Sequence, residues 1–451
     1  MPRSSLRRAS AAAGAVATGL LAAPMLHAAG PQPEYDIFEI DDLGGNLSSA
    51  FGVNNHAQVV GSAETSPGSP TRAILWDDGV LTDLGTLGGD WSSGRGVNDR
   101  ALVGGWSQIA PGAHDHAVIF RNGLVKSLGS LGGDDASGFG DDINEAGHVA
   151  GRSRTVNNEL RAALWTDLEI INLGTLGGFS SEAKALNDVD QVVGFSRIPG
   201  GDSHAFLWEN GEMEDLGTLG GARGTSVAHG INNAGVIVGA SITPGGGSHA
   251  FRWENGVMTD LGTLGGLHSE AREINMSEEI VGIAQHEGGV FVAALWKNGE
   301  VIDLNSRIPP NSGWDSLLVA ADISDAGYIV GSGQIGIETH GYLLRPRLDL
   351  EGPDPGVAGE VNTLTVDGGT PDEVAYFIYG FASGSTPVPN CPGLDAGVRN
   401  PTIAGTGTVD RHGDASISAS VPPAARGRRV FVQVVEPATC RVSDVVEHVF
   451  L

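Results

Sequence analysis

The sequence contains few cysteines, and this scarcity limits both its covalent and its metal chemistry. Cys391 and Cys440 are the only two in 451 residues. Two lone cysteines do not provide the clustered spacing of a structural zinc site. In an oxidising compartment they predict one disulfide, which would close a loop of about 50 residues and stabilise that region by about 4 kcal/mol in the chain-entropy model.

Basic residues are also scarce. The chain has 26 Lys and Arg against 54 Asp and Glu, which gives a formal net charge of −28. Nucleic acids and anionic membranes are polyanions, so both are poor partners for a protein this acidic. The acidity predicts a solvated surface, and the alternative is the binding of a divalent cation such as Ca²⁺. No other cofactor is predicted.

The signatures of common enzymes are missing. The sequence has no Gly-x-Ser-x-Gly elbow, no phosphate loop that ends in Gly-Lys-Ser/Thr and no His-Glu-x-x-His. Its recurrent Gly-Gly pairs follow predicted strands and open no helix, so they lack the helix N-terminus that cradles a phosphate. The sequence leans against an enzyme and leaves catalysis open.

Only one long apolar run is present, and it lies at the N-terminus. Residues 11–26 carry no charge, Arg3, Arg7 and Arg8 precede them, and Ala28 offers a small residue for cleavage. This order predicts a signal peptide over residues 1–28, and a retained membrane anchor is the alternative. The mature chain is then expected outside the cell or on its surface, without a membrane span.

Most of the chain, about residues 35–345, consists of seven copies of one pattern. An Asn near the start of each copy recurs at intervals of 43 to 49 residues, with Ser324 in the seventh copy. The six asparagines are Asn54, Asn98, Asn144, Asn187, Asn232 and Asn275. Self-similarity at this period indicates a repeat architecture.

Each copy contains four short apolar runs separated by turn residues. Asn255-Gly256 between the third and fourth runs is a strong hairpin signal, because both residues tolerate positive φ. The runs are too short and too rich in glycine for helices. Four strands in a repeat of this length are typical of a propeller blade, so the sequence predicts an all-β chain with a seven-bladed β-propeller over residues 34–348.

An aromatic residue ends the third strand of most copies, and we expect this series to pack between neighbouring blades. Its members are Trp76, Phe120, Trp165, Trp208, Trp253 and Trp296, with Leu344 in the last copy.

The two ends of the repeat region complement each other. The seventh copy has only its first three strands, and residues 35–43 match the pattern of the missing fourth strand. The sequence therefore predicts that the N-terminal strand completes the last blade and leaves neither terminal blade with an open edge.

The composition changes after the repeats. Residues 349–356 are rich in Gly and Pro and are predicted to form a linker. Residues 357–451 contain alternating apolar runs that predict a small antiparallel β-sandwich with the single disulfide. Residues 410–414 are interpreted as a hairpin turn, because they lack the oxygen spacing of an EF-hand calcium loop.

Two signatures in the repeats carry a family resemblance. His-Ala-Phe occurs at 204–206 and 249–251, and Asp-Leu-Gly-Thr-Leu-Gly-Gly occurs at 83–89, 215–221 and 260–266. With these motifs the chain resembles the HAF family of bacterial extracellular repeats over about residues 35–345. The resemblance implies a secreted or surface-located repeat protein, and it supplies no catalytic residues.

Four copies carry histidine at the first position of the His-Ala-Phe signature: His116, His204, His249 and His340. A sevenfold arrangement would spread them around the ring, too far apart to share one metal ion. They are interpreted as polar residues that hydrogen-bond a neighbouring blade.

The candidate site lies where the copies differ. Two loop sets on one face of each predicted blade vary between copies, and variable loops on a rigid scaffold are the usual place for binding. The candidate ligand-binding residues are Trp91, Asp134, Asp135, Phe179, Arg223, His268 and Trp314. The aromatic side chains would stack on a sugar or an extended polymer, and the aspartates would hold a cation.

The sequence thus predicts a secreted or cell-surface binding protein that recognises an extracellular glycan, a protein or matrix and has no enzymatic activity. An extracellular polysaccharide hydrolase or lyase is one alternative, in which a pair such as Asp90 and Asp134 would act as acid and base. A structural spacer in the envelope is another. The sequence leaves the oligomeric state undetermined.

Overall fold

The computed structural model of the protein describes residues 34–133, 137–221 and 224–451. The predicted signal peptide, residues 1–28, lies outside these ranges. The described residues are almost entirely strands, turns and bends, and two 3-10 turns (Leu304–Ser306 and Pro423–Ala425) are the only helical segments among them. Within the same ranges, no helix has the length and hydropathy to cross a membrane. The prediction of an all-β chain is confirmed.

The repeats form seven four-stranded antiparallel sheets, numbered here in chain order. Strand β1 is Tyr35–Ile40. Sheets 1 and 2 consist of β2 (Ser48–Val53), β3 (Val59–Glu64), β4 (Thr71–Asp77) and β5 (Val80–Gly85), then β6 (Ser92–Val97), β7 (Val103–Gln108), β8 (Asp115–Arg121) and β9 (Leu124–Gly129). Sheets 3 and 4 consist of β10 (Gly138–Ile143), β11 (Val149–Arg154), β12 (Leu160–Trp165) and β13 (Ile170–Asn172), then β14 (Ser181–Leu186), β15 (Val192–Arg197), β16 (Ser203–Glu209) and β17 (Glu212–Asp215).

The remaining three sheets follow the same order. Sheets 5 and 6 consist of β18 (Ser226–Ile231), β19 (Ile237–Ile242), β20 (Ser248–Glu254) and β21 (Val257–Asp260), then β22 (Gly265–Ile274), β23 (Ile280–His286), β24 (Phe291–Lys297) and β25 (Glu300–Asp303). Sheet 7 consists of β26 (Ser316–Ile323), β27 (Ile329–Ile335), β28 (Glu338–Pro346) and the N-terminal strand β1. The hairpin turns use the residues that the sequence offers: Asn255 and Gly256 both have positive φ, at 49° and 83°.

The N-terminal strand completes the last sheet, as predicted. Strand β1 pairs antiparallel with β28, from Tyr35 opposite Pro346 to Ile40 opposite Gly341. The first strand of each sheet contacts the first strand of the next, and β26 and β27 of sheet 7 contact β2 of sheet 1. Sheet 7 therefore packs against sheet 1, and β1 ties the start of the chain to residues near position 345.

Hydrophobic clusters lie between successive sheets. Trp165 of sheet 3 is only 2% exposed and packs in one cluster with Ala117 of sheet 2. Trp76 of sheet 1 packs with Tyr328 and Leu343 of sheet 7. The other members of the aromatic series share clusters with the preceding sheet in the same way. The prediction that this series packs between neighbouring repeats is confirmed.

The recurrent asparagines form hydrogen bonds from each repeat to the next. Each is buried, and each donates from its side-chain Nδ2 to the backbone oxygen of the equivalent residue one repeat later, at 3.0 to 3.2 Å. Their Oδ1 atoms accept backbone N–H groups within their own turns, as Asn232 does from Val236 at 3.0 Å. Between sheets 7 and 1, Asn55 accepts the N–H of Ala326 at 3.1 Å. A buried amide that is satisfied on both ends explains why this residue recurs.

The histidine of the His-Ala-Phe signature bonds within its own sheet. His204 Nδ1 lies 2.8 Å from Asp215, and His249 Nδ1 lies 2.8 Å from Asp260. Both aspartates belong to the fourth strand of the same sheet, so the expected bond to a neighbouring repeat is wrong. The link to the next repeat comes instead from the alanine, since the N–H of Ala205 donates to Ser226 Oγ at 2.8 Å.

The C-terminal residues form two further sheets and a hairpin. Their strands are β29 (Asp349–Asp354), β30 (Val361–Asp367), β31 (Val374–Gly380), β32 (Ser383–Pro387), β33 (Asp395–Val398), β34 (Thr402–Thr408), β35 (Ala415–Ser420), β36 (Arg429–Glu436), β37 (Arg441–Val442) and β38 (Val446–Val449). One sheet has the order β29-β30-β35; the other has the order β34-β31-β36-β37, with β38 also paired to β36. The two sheets share a hydrophobic cluster that includes Leu364 and Phe377.

Two details of this region bear on the sequence predictions. Cys391 and Cys440 form the expected disulfide, with their Cα atoms 5.4 Å apart. Residues 349–354 of the predicted linker form β29, which pairs with β30. Leu348 and Leu350 are buried while Asp349 and Glu351 are exposed, and this alternation suits a sheet strand better than a free linker.

Candidate functional site

The first strand of every one of the seven sheets contains a β-bulge at the same place. In sheet 1 the pairing register shifts between Ala50 and Gly52, and the other six sheets shift at the equivalent residues. A bulge leaves one residue unpaired and redirects its side chain. The bulged residues are Phe51, Arg95, Asp141, Lys184, His229, Arg272 and Ala321.

All seven bulged residues line one cavity of about 310 Å³, which we call the central cavity. Four acidic residues from the same strands complete its lining: Asp142, Glu270, Glu273 and Asp322. The seven repeats thus contribute one side chain each, of six residue types, to a shared cavity. The volume falls within the range of about 300 to 1,000 Å³ that is typical of small-ligand sites.

A network of ion pairs holds Asp141 and Lys184, two of the charged residues that line the central cavity. Arg152 pairs with Asp141 at 2.9 Å and with Glu182 at 3.7 Å, and Glu182 also pairs with Lys184 at 3.2 Å. The guanidinium of Arg152 lies 4.5 Å from the ring centroid of Phe139. These contacts hold the charged groups in place before any ligand arrives, which lowers the ordering cost of binding.

Arg95 is held differently from the other cations of the cavity. Its guanidinium lies 4.4 Å from the ring centroid of Phe51, and its Nε is buried without a hydrogen-bond partner among the described residues. Burial lowers the pKa of Arg95 from its ordinary value. A desolvated guanidinium without an ion pair is well suited to the oxygen atoms of a bound ligand.

Two half-buried acids of the cavity join neighbouring sheets. Asp142 of sheet 3 accepts the N–H of Leu186 in sheet 4 at 3.1 Å, and Asp322 of sheet 7 accepts the N–H of Val53 in sheet 1 at 2.8 Å. A Cβ at Gly96 would lie 2.6 Å from Asp142 Oδ1, so the small residue at that position makes room for the carboxylate. Each acid therefore has a structural use that involves its neighbouring sheet.

Burial perturbs the titration of these groups. It raises the pKa of Asp142 to about 7 and that of Asp322 to about 6, and it raises the pKa of Glu273 well above its ordinary value. Burial also lowers the pKa of His229 to about 4, so its imidazole is neutral near pH 7. The central cavity consequently carries less charge near pH 7 than its composition suggests.

The raised pKa of Asp142 gives a prediction for stability against pH. The folded protein holds this proton up to about pH 7, whereas the unfolded chain loses it near pH 4, so the contribution is present below about pH 4 and is lost as the pH rises through 7. His229 acts in the opposite sense, because its contribution is present above its ordinary pKa and is lost as the pH falls towards 4. In Asp142→Asn, the unfolding free energy should therefore fall less steeply with rising pH than in the wild type. The two slopes should differ by about 1.4 kcal/mol per pH unit between about pH 4 and about pH 7.

Guanidinium unfolding at about pH 5 and about pH 6.5, followed by tryptophan fluorescence, checks this prediction. The difference in unfolding free energy between the two pH values is compared, not the absolute stability. Asp78→Asn, on an exposed hairpin, is the matched control for the loss of one carboxylate. An unchanged slope in Asp142→Asn would contradict the assignment of this proton.

A second polar cavity of about 260 Å³ lies at the turns that follow the first strands. The turns after these strands line it with the recurrent asparagines and with acids such as Asp99, Glu145 and Asp188. Arg411 of the C-terminal region lines the same cavity, and it belongs to a hairpin turn in which Asp410 Oδ1 accepts the N–H of His412 at 2.8 Å. The turn interpretation of residues 410–414 is confirmed, and the turn places a basic side chain among these acids.

Four of the sequence-predicted site residues have described positions, and none of these four lines the central cavity. Trp91 is 43% exposed and Phe179 is 69% exposed on the loops that precede sheets 2 and 4. The side chain of Arg197 lies 5.7 Å from the ring centroid of Phe179, and His268 stacks on Phe291 with 6.3 Å between ring centroids. The structure therefore leaves two exposed aromatic side chains on the loop face.

The other candidates contribute less to that face. Trp314 packs edge-on against the buried Tyr342, with 5.9 Å between ring centroids, and belongs to a hydrophobic cluster. Asp134, Asp135 and Arg223 lie outside the described residues. Among the residues with described positions, no group of three or more His, Cys, Asp or Glu has a geometry that would hold a metal ion.

The central cavity was missed by reasoning from loops, yet the sequence contains a sign of it. In the seven aligned first strands, the residue three positions before the recurrent Asn is Phe, Arg, Asp, Lys, His, Arg and Ala in turn. The flanking positions hold small or aliphatic residues in most copies. A position that varies in size and charge between copies, inside an otherwise constant strand, would have indicated a functional surface.

Comparisons with known proteins do not assign a family. No protein-family model matches the chain, and no curated protein matches it. Among solved structures, the chain is similar to a triple arginine-to-alanine mutant of AofleA from Arthrobotrys oligospora, at 10% identity and a TM-score of 0.32 over 60% of this chain and 90% of that one. A TM-score this low carries no argument about fold or function.

Proposed function

We propose that the seven sheets are the blades of a seven-bladed β-propeller and that the two C-terminal sheets form a β-sandwich. The pairing of β1 with β28 and the contact of sheet 7 with sheet 1 support a closed ring. The hydrogen bonds that each recurrent Asn donates to the next repeat support the same arrangement. The cluster shared by the two C-terminal sheets supports the sandwich.

We further propose that the protein is a secreted or cell-surface repeat protein of the HAF type that binds an oxygen-rich ligand, most simply an extracellular glycan. The N-terminal sequence and the motif resemblance support this class, and a disulfide suits an oxidising compartment. The loop face with Trp91 and Phe179 would receive the ligand, and the central cavity would hold one polar group of it.

One observation carries this proposal: the same bulge in seven sheets directs seven side chains of six residue types into one cavity. A purely structural repeat has no need to vary the one position that faces the common space. Cations, an acid, an imidazole and an aromatic ring around one cavity provide the few convergent polar groups of a binding site.

The proposal favours binding over catalysis for a geometric reason. Asp142 accepts the N–H of Ile143 with one carboxylate oxygen and the N–H of Leu186 with the other. Asp322 is engaged in the same way, with Ile323 and Val53. Carboxylates that accept two backbone bonds between sheets are poorly placed to exchange protons with a substrate.

Arg95→Met tests the proposed site. Because this side chain makes no ion pair among the described residues, its removal should leave the fold intact and weaken glycan binding by about 10- to 100-fold, the value of a charge-assisted hydrogen bond. Binding is measured first by a glycan array on the mature wild-type protein and then by calorimetry with the best ligand.

Arg121→Met, at an exposed hairpin position, is the matched control and should bind as the wild type does. Equal affinity of the two variants would refute a role for the central cavity. A reducing-end release assay on the same glycans separates the hydrolase alternative, because turnover would contradict a binding-only function.

A further inference from the structure

An apolar cavity lies in the C-terminal region, outside the repeats. Its volume is about 500 Å³. Side chains from both C-terminal sheets line it, including Leu364, Val432 and Phe450, which are all less than 9% exposed. A cavity of this size and lining suits a small apolar ligand.

The topology explains why this space stays open. Strands β34 and β35 follow each other in the chain, yet β34 pairs with β31 in one sheet and β35 pairs with β30 in the other. Both are edge strands, and no ladder joins them. The two sheets therefore separate along this side, where Phe381 and Ile403 line the cavity while 62% and 57% exposed.

The charge at the cavity is opposite to that of the protein as a whole. Arg428 is the only charged residue in the lining, and residues 426–429 hold three arginines in four positions of a chain with a net charge of −28. Arg429 pairs with Glu447 at 3.1 Å, whereas Arg426 and Arg428 pair with no acid among the described residues. An apolar cavity with unpaired exposed cations at its rim is complementary to an acyl chain with an acidic head.

We propose that this cavity binds a fatty acid, with the hydrocarbon chain between the two sheets and the carboxylate at Arg428. Asn362 is the buried polar residue of the lining. Its side chain forms hydrogen bonds with the backbone of Val357 and Glu360, so its polar atoms have partners without a ligand. The inner part of the cavity is therefore apolar, and the acidic group belongs at the arginine rim. This site is independent of the glycan site proposed above.

Calorimetry of the mature, disulfide-bonded chain with dodecanoate below its micelle concentration tests the proposal, with dodecanol as the neutral probe. We expect one molecule of dodecanoate per chain. Ala404→Phe, which adds a ring inside the cavity, should weaken binding at least tenfold. Arg428→Gln should weaken dodecanoate binding about two- to fivefold and leave dodecanol binding unchanged, because an exposed ion pair contributes little.

Arg428 is exposed, so we expect Arg428→Gln to fold. This variant keeps the test valid even if Ala404→Phe fails to fold. Absence of dodecanoate binding by the wild type would overturn the proposal. Equal effects of Arg428→Gln on the acid and the alcohol would overturn the placement of the head group. Binding to phosphatidylglycerol vesicles without binding of monomeric dodecanoate would contradict a fatty-acid site and indicate a membrane surface instead.

Discussion

Trp165→Ala is expected to lower the free energy of unfolding of the repeat region by about 3 to 5 kcal/mol, the range for truncation of a large buried aromatic side chain. Trp165 is 2% exposed, packs against sheet 2 and donates from Nε1 to the backbone oxygen of Gly129 at 3.2 Å. The substitution opens a cavity between sheets 2 and 3 and leaves that oxygen without its partner.

Trp91→Ala provides the matched control, because it removes the same side chain from a loop where it is 43% exposed. This substitution should change the free energy of unfolding by no more than about 0.5 kcal/mol. All eight tryptophans of the chain precede residue 346, so tryptophan fluorescence during guanidinium unfolding reports on the repeats alone. Similar losses in both variants would show that the aromatic series does not hold the sheets together.

Much of the repeat fold could be predicted because its information is local. The hairpin between β20 and β21 follows from Asn255 and Gly256, whose positive φ suits a tight turn. The missing fourth strand of the seventh copy could be matched to residues 35–43 by pattern alone. The sequence could thus indicate which strands pair without any knowledge of distances.

The candidate site depended on information that is not local. A bulge at Phe51 or Arg95 changes which way one side chain points, and alternation along the strand does not reveal it. Trp314 was expected on the loop face, but the long segment before β26 folds it against Tyr342. The prediction that His204 bonds to a neighbouring repeat is also wrong. Its distance to Asp215 across the hairpin depends on the register of β16 and β17.

In the proposed propeller, the chain closes on itself through β1. A new disulfide between β1 and β28 should therefore have a large effect on the stability of the repeat region. Asp36 lies opposite Arg345 in the antiparallel ladder, where Cα separations of about 4.5 to 5.5 Å suit a disulfide. Asp36→Cys combined with Arg345→Cys closes a loop of about 310 residues, which stabilises the repeat region by about 6 kcal/mol in the chain-entropy model.

Glu39→Cys with Arg345→Cys is the off-register control. Glu39 lies opposite Tyr342, three residues away from the position of Arg345, so the two Cα atoms are about 10 Å apart and cannot be bridged.

Electrophoresis of the oxidised, folded variants without reductant compares the two pairs directly, since an unfolded chain with a 36–345 crosslink migrates faster than an open one. A fast-migrating band for the Asp36 and Arg345 pair, absent from the Glu39 and Arg345 pair and lost on reduction, is the result expected for the closed ring. No crosslink in either pair, or equal crosslinking in both, would contradict it.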